Sequence, residues 1–123
     1  PKTLANTDID TIMNKSTDTL PRRHIESCED LQTIRNHIDA LDEQIIPLLC
    51  ERIQYITQAA QFKDSAADTR RFGRIEAIIT RAKAYAKVLG ADEDYIESVY
   101  RHLIDESIRQ EKAKWLSLHP DKK

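Results

Sequence analysis

Residues 31–63, LQTIRNHIDALDEQIIPLLCERIQYITQAAQFK, decide the fold. Leu31, Ile34, Ile38, Leu41, Ile45 and Leu48 follow one another at alternating steps of three and four. That spacing is the seam of a helix that packs lengthwise against another. The stripe runs on through Ile53, Ile56, Ala60 and Phe62. Pro47 lies inside it and removes one backbone donor, so a local kink is expected rather than a break. Ser27 offers an N-cap ahead of Cys28, Glu29 and Asp30, which places the expected helix over 28–63. Such a helix would be about 54 Å long, whereas a compact domain of this size has a radius of gyration of about 14 Å. One chain cannot cover such a rod, so a homodimer is expected.

Outward from this stretch the pattern stays helical. The 123 residues include only two Gly and four Pro, well under half of average usage. Sandwiches and barrels need many more turn residues, so the expected fold is all-α with three helices. Asp64 to Thr69 reads as a short polar link. A second helix is expected from Arg71 to Val88, burying Ile75, Ile78, Ile79, Ala82 and either Tyr85 or Ala86, with Gly90 as its left-handed cap. Asp92 caps a third helix whose stripe is Ile96, Val99, Tyr100, Leu103, Ile104, Ser107, Ile108, Glu111 and Trp115, with Pro120 beyond its end. Residues 1–27 are rich in Asn, Asp, Ser and Thr and read as a mobile N-terminal extension, with one short turn around Ile9 to Met13. The helical domain is expected over 28–118.

Several classes of function fall away. The longest apolar run, Ile45 to Cys50, is too short to span a membrane and contains Pro47. The formal net charge is −2, which gives no global basic field for nucleic acid. Cys28 and Cys50 form no metal or disulfide motif and read as reduced thiols, so the expected location is cytoplasmic. His24, His37, His102 and His119 show no metal-ligand spacing, and two glycines make no phosphate loop. No metal and no cofactor are expected. His119-Pro120-Asp121 matches a co-chaperone signature, but here it stands at the end of a helix rather than between two.

The informative residues are the polar ones on apolar stripes. Continuing the first seam from Leu48 lands on Arg52, and Lys63 lies about 20° away on the same face. Ser107 and Glu111 interrupt the third helix's stripe. Charges on packing seams are costly unless they are paired. One arrangement is a single buried Arg52–Glu111 pair with Arg35 and Lys63 solvated. The other is a small polyanion held by inward cations between the helices. Arg35 is about 100° round the helix from Arg52 and would have to face a partner subunit.

These residues carry a resemblance. The stretch 31–63 resembles the opening helix of the all-helical chorismate mutases, in the pattern IR..ID.LD..I..LL.ER......A..K, with Arg35, Asp39, Asp42, Arg52 and Lys63 in register. RIEAII (74–79) and YIESVYRHLIDESIRQE (95–111) are similar to that family's second and third helices. The resemblance implies an intertwined homodimer with two equivalent sites, each completed by Arg35 from the other subunit. It implies that Arg52 and Arg74 hold the substrate's two carboxylates, with Ser107 beside one of them. Lys63 and Glu111 would bracket the ether oxygen, and Ile75 and Ile108 would also lie against the substrate. The implied reaction is the rearrangement of chorismate to prephenate, a step in aromatic amino acid synthesis that needs neither metal nor cofactor. Cations that select a compact conformer and donors that meet charge on the breaking ether bond suit that chemistry.

Two positions depart from the pattern. The acidic residue that usually follows the second-helix Arg is Ile75, and the one three positions before it is Arg71. The related isochorismate-pyruvate lyases, which form salicylate and pyruvate, share an apolar residue at the Ile75 position. They also resemble YITQAAQFK (55–63) and KAKW (112–115). Glu111 stands where many members have Gln, and only a protonated carboxyl can donate to an ether oxygen. Gln110 is the alternative donor, about 100° off the stripe. A dimeric helical ligand-sensing or interaction module is the non-enzyme alternative.

Overall fold

Asp30 starts the first helix. Its Oδ1 accepts the Thr33 N–H at 2.7 Å from an extended backbone (φ −142°, ψ 160°), which satisfies one of the donors that a helix start leaves open. That bond also holds the Asp30 carboxyl below its ordinary range. The expected cap at Ser27 is therefore corrected: Ser27, Cys28 and Glu29 precede the helix. The computed structural model describes residues 20–122. Within them lie α1 (Leu31–Ala59), α2 (Phe72–Val88) and α3 (Glu93–Leu118), with short 3-10 turns at Ala60–Phe62 and Ala67–Thr69. There are three α-helices and no strand among the described residues.

The helix α1 runs through Pro47 for 29 residues, about 44 Å at 1.5 Å per residue. It does not reach Phe62 as a regular helix. The 3-10 turn has about three residues per turn instead of 3.6, so it rotates the stripe. Phe62, expected on the seam, is 78% exposed, while Ala60 is buried. The polar link 64–69 holds the second 3-10 turn, in which the Thr69 hydroxyl donates to the Ala66 carbonyl at 2.7 Å and Thr69 is buried.

The helices α2 and α3 form a tight hairpin. Gly90 takes φ 73°, where a Cβ would be strained. Its N–H donates to the Lys87 carbonyl at 3.1 Å, and the Ala91 N–H donates to Ala86 at 2.8 Å. This pair of bonds is a Schellman ending. Asp92 then caps α3 by accepting from the Asp94 and Tyr95 N–H groups. Ile75, Ile78 and Ile79 of α2 pack on Ile104 of α3, with Tyr100 and Ile108 at the edge. Each such isoleucine contributes roughly 1.5–3 kcal/mol on burial. Ala86, not Tyr85, is the buried member of the last turn. At the rim Arg101 bridges Glu97 and Glu76 at 2.8 and 3.2 Å.

The second half of α1 lies against α3, while its first half does not. Ile38, Leu41 and Ile45 are 50%, 46% and 48% exposed. Residues 20–29 run back beside this half, where Arg23 donates to Gln44 Oε1 at 2.9 Å and Glu26 meets His37 at 3.3 Å. The turn expected around Ile9 to Met13 lies outside the described residues. No helix among the described residues is long and apolar enough to cross a membrane.

Candidate active site

The second half of α1 and its tail meet the α2–α3 hairpin around a half-open cavity of about 410 Å³. The second half of α1 and its tail bring Arg52, Tyr55 and Lys63, α2 and its cap bring Arg71, Arg74 and Ile75, and α3 brings Ser107, Ile108 and Glu111. Every site residue expected within one chain therefore lines one cavity. Arg35 does not. It is exposed on the first half of α1, 17 residues and about 26 Å along the axis from Arg52.

Each polar group has a local reason for its place. The Ser107 hydroxyl donates to the Leu103 carbonyl one turn earlier, at 2.7 Å, and accepts from Arg52 Nη1 at 3.0 Å. Its proton is thus committed to its own helix, and its lone pair orients the guanidinium. Burial pulls Arg52 below its ordinary pKa, and the nearby cations Arg74 and Arg81 act in the same direction. An anion in the cavity would oppose both effects.

Lys63 follows the 3-10 turn with an extended backbone (φ −96°, ψ 143°). Its Nζ stands 3.6 Å from Glu111 Oε2, close enough for an ion pair but too far for a hydrogen bond. Glu111 is buried, and its Oε2 has no hydrogen-bond partner. Burial raises the Glu111 carboxyl above its ordinary range, and the Lys63 ammonium opposes that rise. The pairing corrects the alternative with a buried Arg52–Glu111 pair and a solvated Lys63. Arg52 meets Ser107, and Glu111 meets a largely buried Lys63. Gln110 is exposed, so the register puts Glu111 on the cavity.

Two further cavity residues were not singled out for binding by the sequence. Arg71 occupies the cap position of α2 in an extended conformation, with Nη2 2.9 Å from Asp68 Oδ2. Tyr55 lies beside the α1 stripe and remains mostly exposed. Neither falls on a helical apolar stripe, so periodicity carried no signal for them. Arg71 was visible only as a departure from the family's acidic pattern.

Four cations, one buried carboxyl and an isoleucine floor are the chemistry that a small polyanion on an apolar frame would need. That class narrows on comparison with known proteins. The chain belongs to the chorismate mutase type II family, whose model matches residues 34–112. It is 29% identical over 90 residues to an isochorismate pyruvate lyase of Pseudomonas aeruginosa, covering 73% of this chain and 89% of that one. It is 30% identical over 83 residues to a 4-amino-4-deoxychorismate mutase of Streptomyces venezuelae, covering 67% and 81%.

Proposed function

We propose that this chain is an enzyme that breaks the ether C–O bond of a chorismate-type dicarboxylate, with the rearrangement of chorismate to prephenate as its reaction. One observation carries the reading: Arg52, Lys63, Arg74, Ser107 and Glu111 line a single cavity beside Ile75 and Ile108. Arg52 and Arg74 hold the two carboxylates and draw the substrate into its compact conformer. Lys63 and protonated Glu111 donate to the ether oxygen as it gains negative charge. These contacts raise the rate because they strengthen as the bond breaks. No metal or cofactor takes part.

A second copy of the chain completes the site. The bare seam of α1, from Ile34 through Leu48, needs a cover, and a homodimer supplies it. Arg35 sits on that bare half and reaches the partner's cavity rather than its own. The domain is the stretch 28–118, and it acts without nucleic acid or membrane in the cytoplasm.

A second reading has its own observation. Ile75 places an apolar floor where an acid would grip a ring hydroxyl, which favours isochorismate, split to salicylate and pyruvate. The named activity of the Pseudomonas relative supports this reading. One assay separates the two: chorismate and isochorismate are offered separately while prephenate, salicylate and pyruvate are followed. Prephenate from chorismate supports the first reading, and salicylate with pyruvate from isochorismate supports the second. 4-Amino-4-deoxychorismate is the third substrate to offer, because one relative is named for it. Turnover of none, together with ligand binding unchanged in Arg52→Ala, would leave the chain as an interaction module.

A further inference from the structure

Trp115 is the only tryptophan of the chain. It is buried, and its Nε1–H donates to the Lys63 carbonyl at 2.9 Å. The bond closes the end of the first helical segment, where a carbonyl would otherwise lack a partner. Glu111 lies four residues earlier on α3, on the same face of the helix. A single turn of α3 therefore holds Lys63 twice, by its backbone at Trp115 and by its ammonium at Glu111. Behind the indole, His119 stacks at 4.0 Å and its Nδ1 lies 2.9 Å from the Trp115 carbonyl. A carbonyl only accepts, so Nδ1 carries the proton in this contact.

We propose that Trp115 is a positioning residue, which fixes the Lys63 backbone and so sets where the ammonium stands opposite Glu111. Within its own segment the Lys63 N–H donates to the Ala60 carbonyl at 3.2 Å, so the bond from Trp115 to the Lys63 carbonyl is the anchor that ties this backbone to α3. The inference rests on the reading above for its catalytic meaning, but its geometry can be tested without any substrate. Besides Lys63, the charged groups around Glu111 are Asp68 from the link and Arg71 from the cap of α2. Neither is held by Trp115.

The test compares the wild-type chain with Trp115→Phe, Lys63→Met and the double variant. The Glu111 carboxyl is titrated by carbon NMR, and turnover is measured on chorismate and isochorismate. Trp115→Phe keeps a ring and removes the donor. Freed from its anchor, Lys63 no longer opposes the burial of Glu111, so the Glu111 midpoint moves up. The kcat falls about tenfold with a smaller change in KM, as expected for one lost buried hydrogen bond. In the Lys63→Met background, Trp115→Phe changes neither quantity further, because its effect passes through Lys63. A lower melting temperature with an unchanged midpoint would overturn the proposal, and so would additive effects.

Wild type and Lys63→Met decide the question even if Trp115→Phe does not fold. The single indole N–H resonance of the wild type follows the Glu111 titration, and that response disappears in Lys63→Met. An identical response in both chains, or none in the wild type, overturns the proposal. An idle wild type on both substrates would remove the functional reading and leave these NMR outcomes to judge Trp115.

Discussion

The two halves of α1 share one sequence period and have opposite surroundings. From Leu31 to Cys50 the apolar stripe faces no helix of its own chain, and Leu48 is 63% exposed. From Arg52 onward the same stripe packs on α3 and turns polar where the cavity opens. The contrast teaches that an amphipathic stripe records burial without saying by whom. In the first half its unbroken hydrophobicity asks for a partner helix. In the second half Arg52, and beyond the helix end Lys63, interrupt the stripe where the cavity opens.

The sharpest way to break this contrast lies in the second half. Lys63→Met and Arg52→Ala should each lower kcat/KM roughly a hundred- to a thousandfold, as losing one preorganised donor does. Circular dichroism should show the helices intact. A fall in helicity of the same size would mean that these cations hold the fold rather than the substrate.

Next comes the bare half. Leu41→Asp puts a charge on the seam and should convert a dimer to a monomer in sedimentation equilibrium, with turnover lost alongside. Arg35→Ala and Arg52→Ala chains should be nearly inactive alone yet recover about a quarter of wild-type activity when mixed, because one site of each mixed dimer is whole. No recovery would mean that Arg35 and Arg52 of one and the same chain serve one cavity.

A smaller effect comes from pH. Burial raises the Glu111 pKa, so its donor form persists on the acid side and is lost as pH rises through that value. Above it, kcat should fall about tenfold per pH unit, and Glu111→Gln should flatten that limb. Stability follows the same sign. The folded state holds this proton more tightly than the unfolded one, so the contribution is present below the unfolded pKa and is lost as pH rises through the folded value. Parallel profiles for the two proteins would remove Glu111 from the donor role.

Asp30→Ala should give the smallest change. Only the first turn of α1 should fray, with faster amide exchange at 31–34 and unchanged turnover. Loss of the whole first half would show that its order rests on the cap instead of on a partner.

Much of this was legible in the sequence for physical reasons. The three helices followed from the spacing of isoleucines and leucines and from Gly90 and Asp92. Ser107 and Glu111 stood out because a helical period fixes which face a residue takes. The start at Asp30 was harder, since Ser27 and Asp30 are both good caps and only the Thr33 N–H distinguishes them. The angular argument for Lys63 assumed an unbroken helix, whereas the chain tightens after Ala59 and loses Phe62 to solvent. Lys63 still reaches the cavity, and the bond to Trp115 accompanies it there, a contact between residues 52 apart in sequence. No local pattern encodes such a contact. Arg71 was equally out of reach because it lies at a helix cap, where period says nothing.

The four-residue joint between α2 and α3 has a kinetic consequence. The Ile75, Ile78, Ile79 and Ile104 cluster closes across a short hairpin whose turn is fixed by Gly90 and Asp92. Local contacts of this kind have little loop entropy to overcome. The hairpin should therefore assemble first, with transition-state structure concentrated there, and α1 should dock afterwards. The cavity walls come from both parts. Arg52 and Lys63 should thus join Arg71 and Arg74 only when α1 docks on a platform already formed.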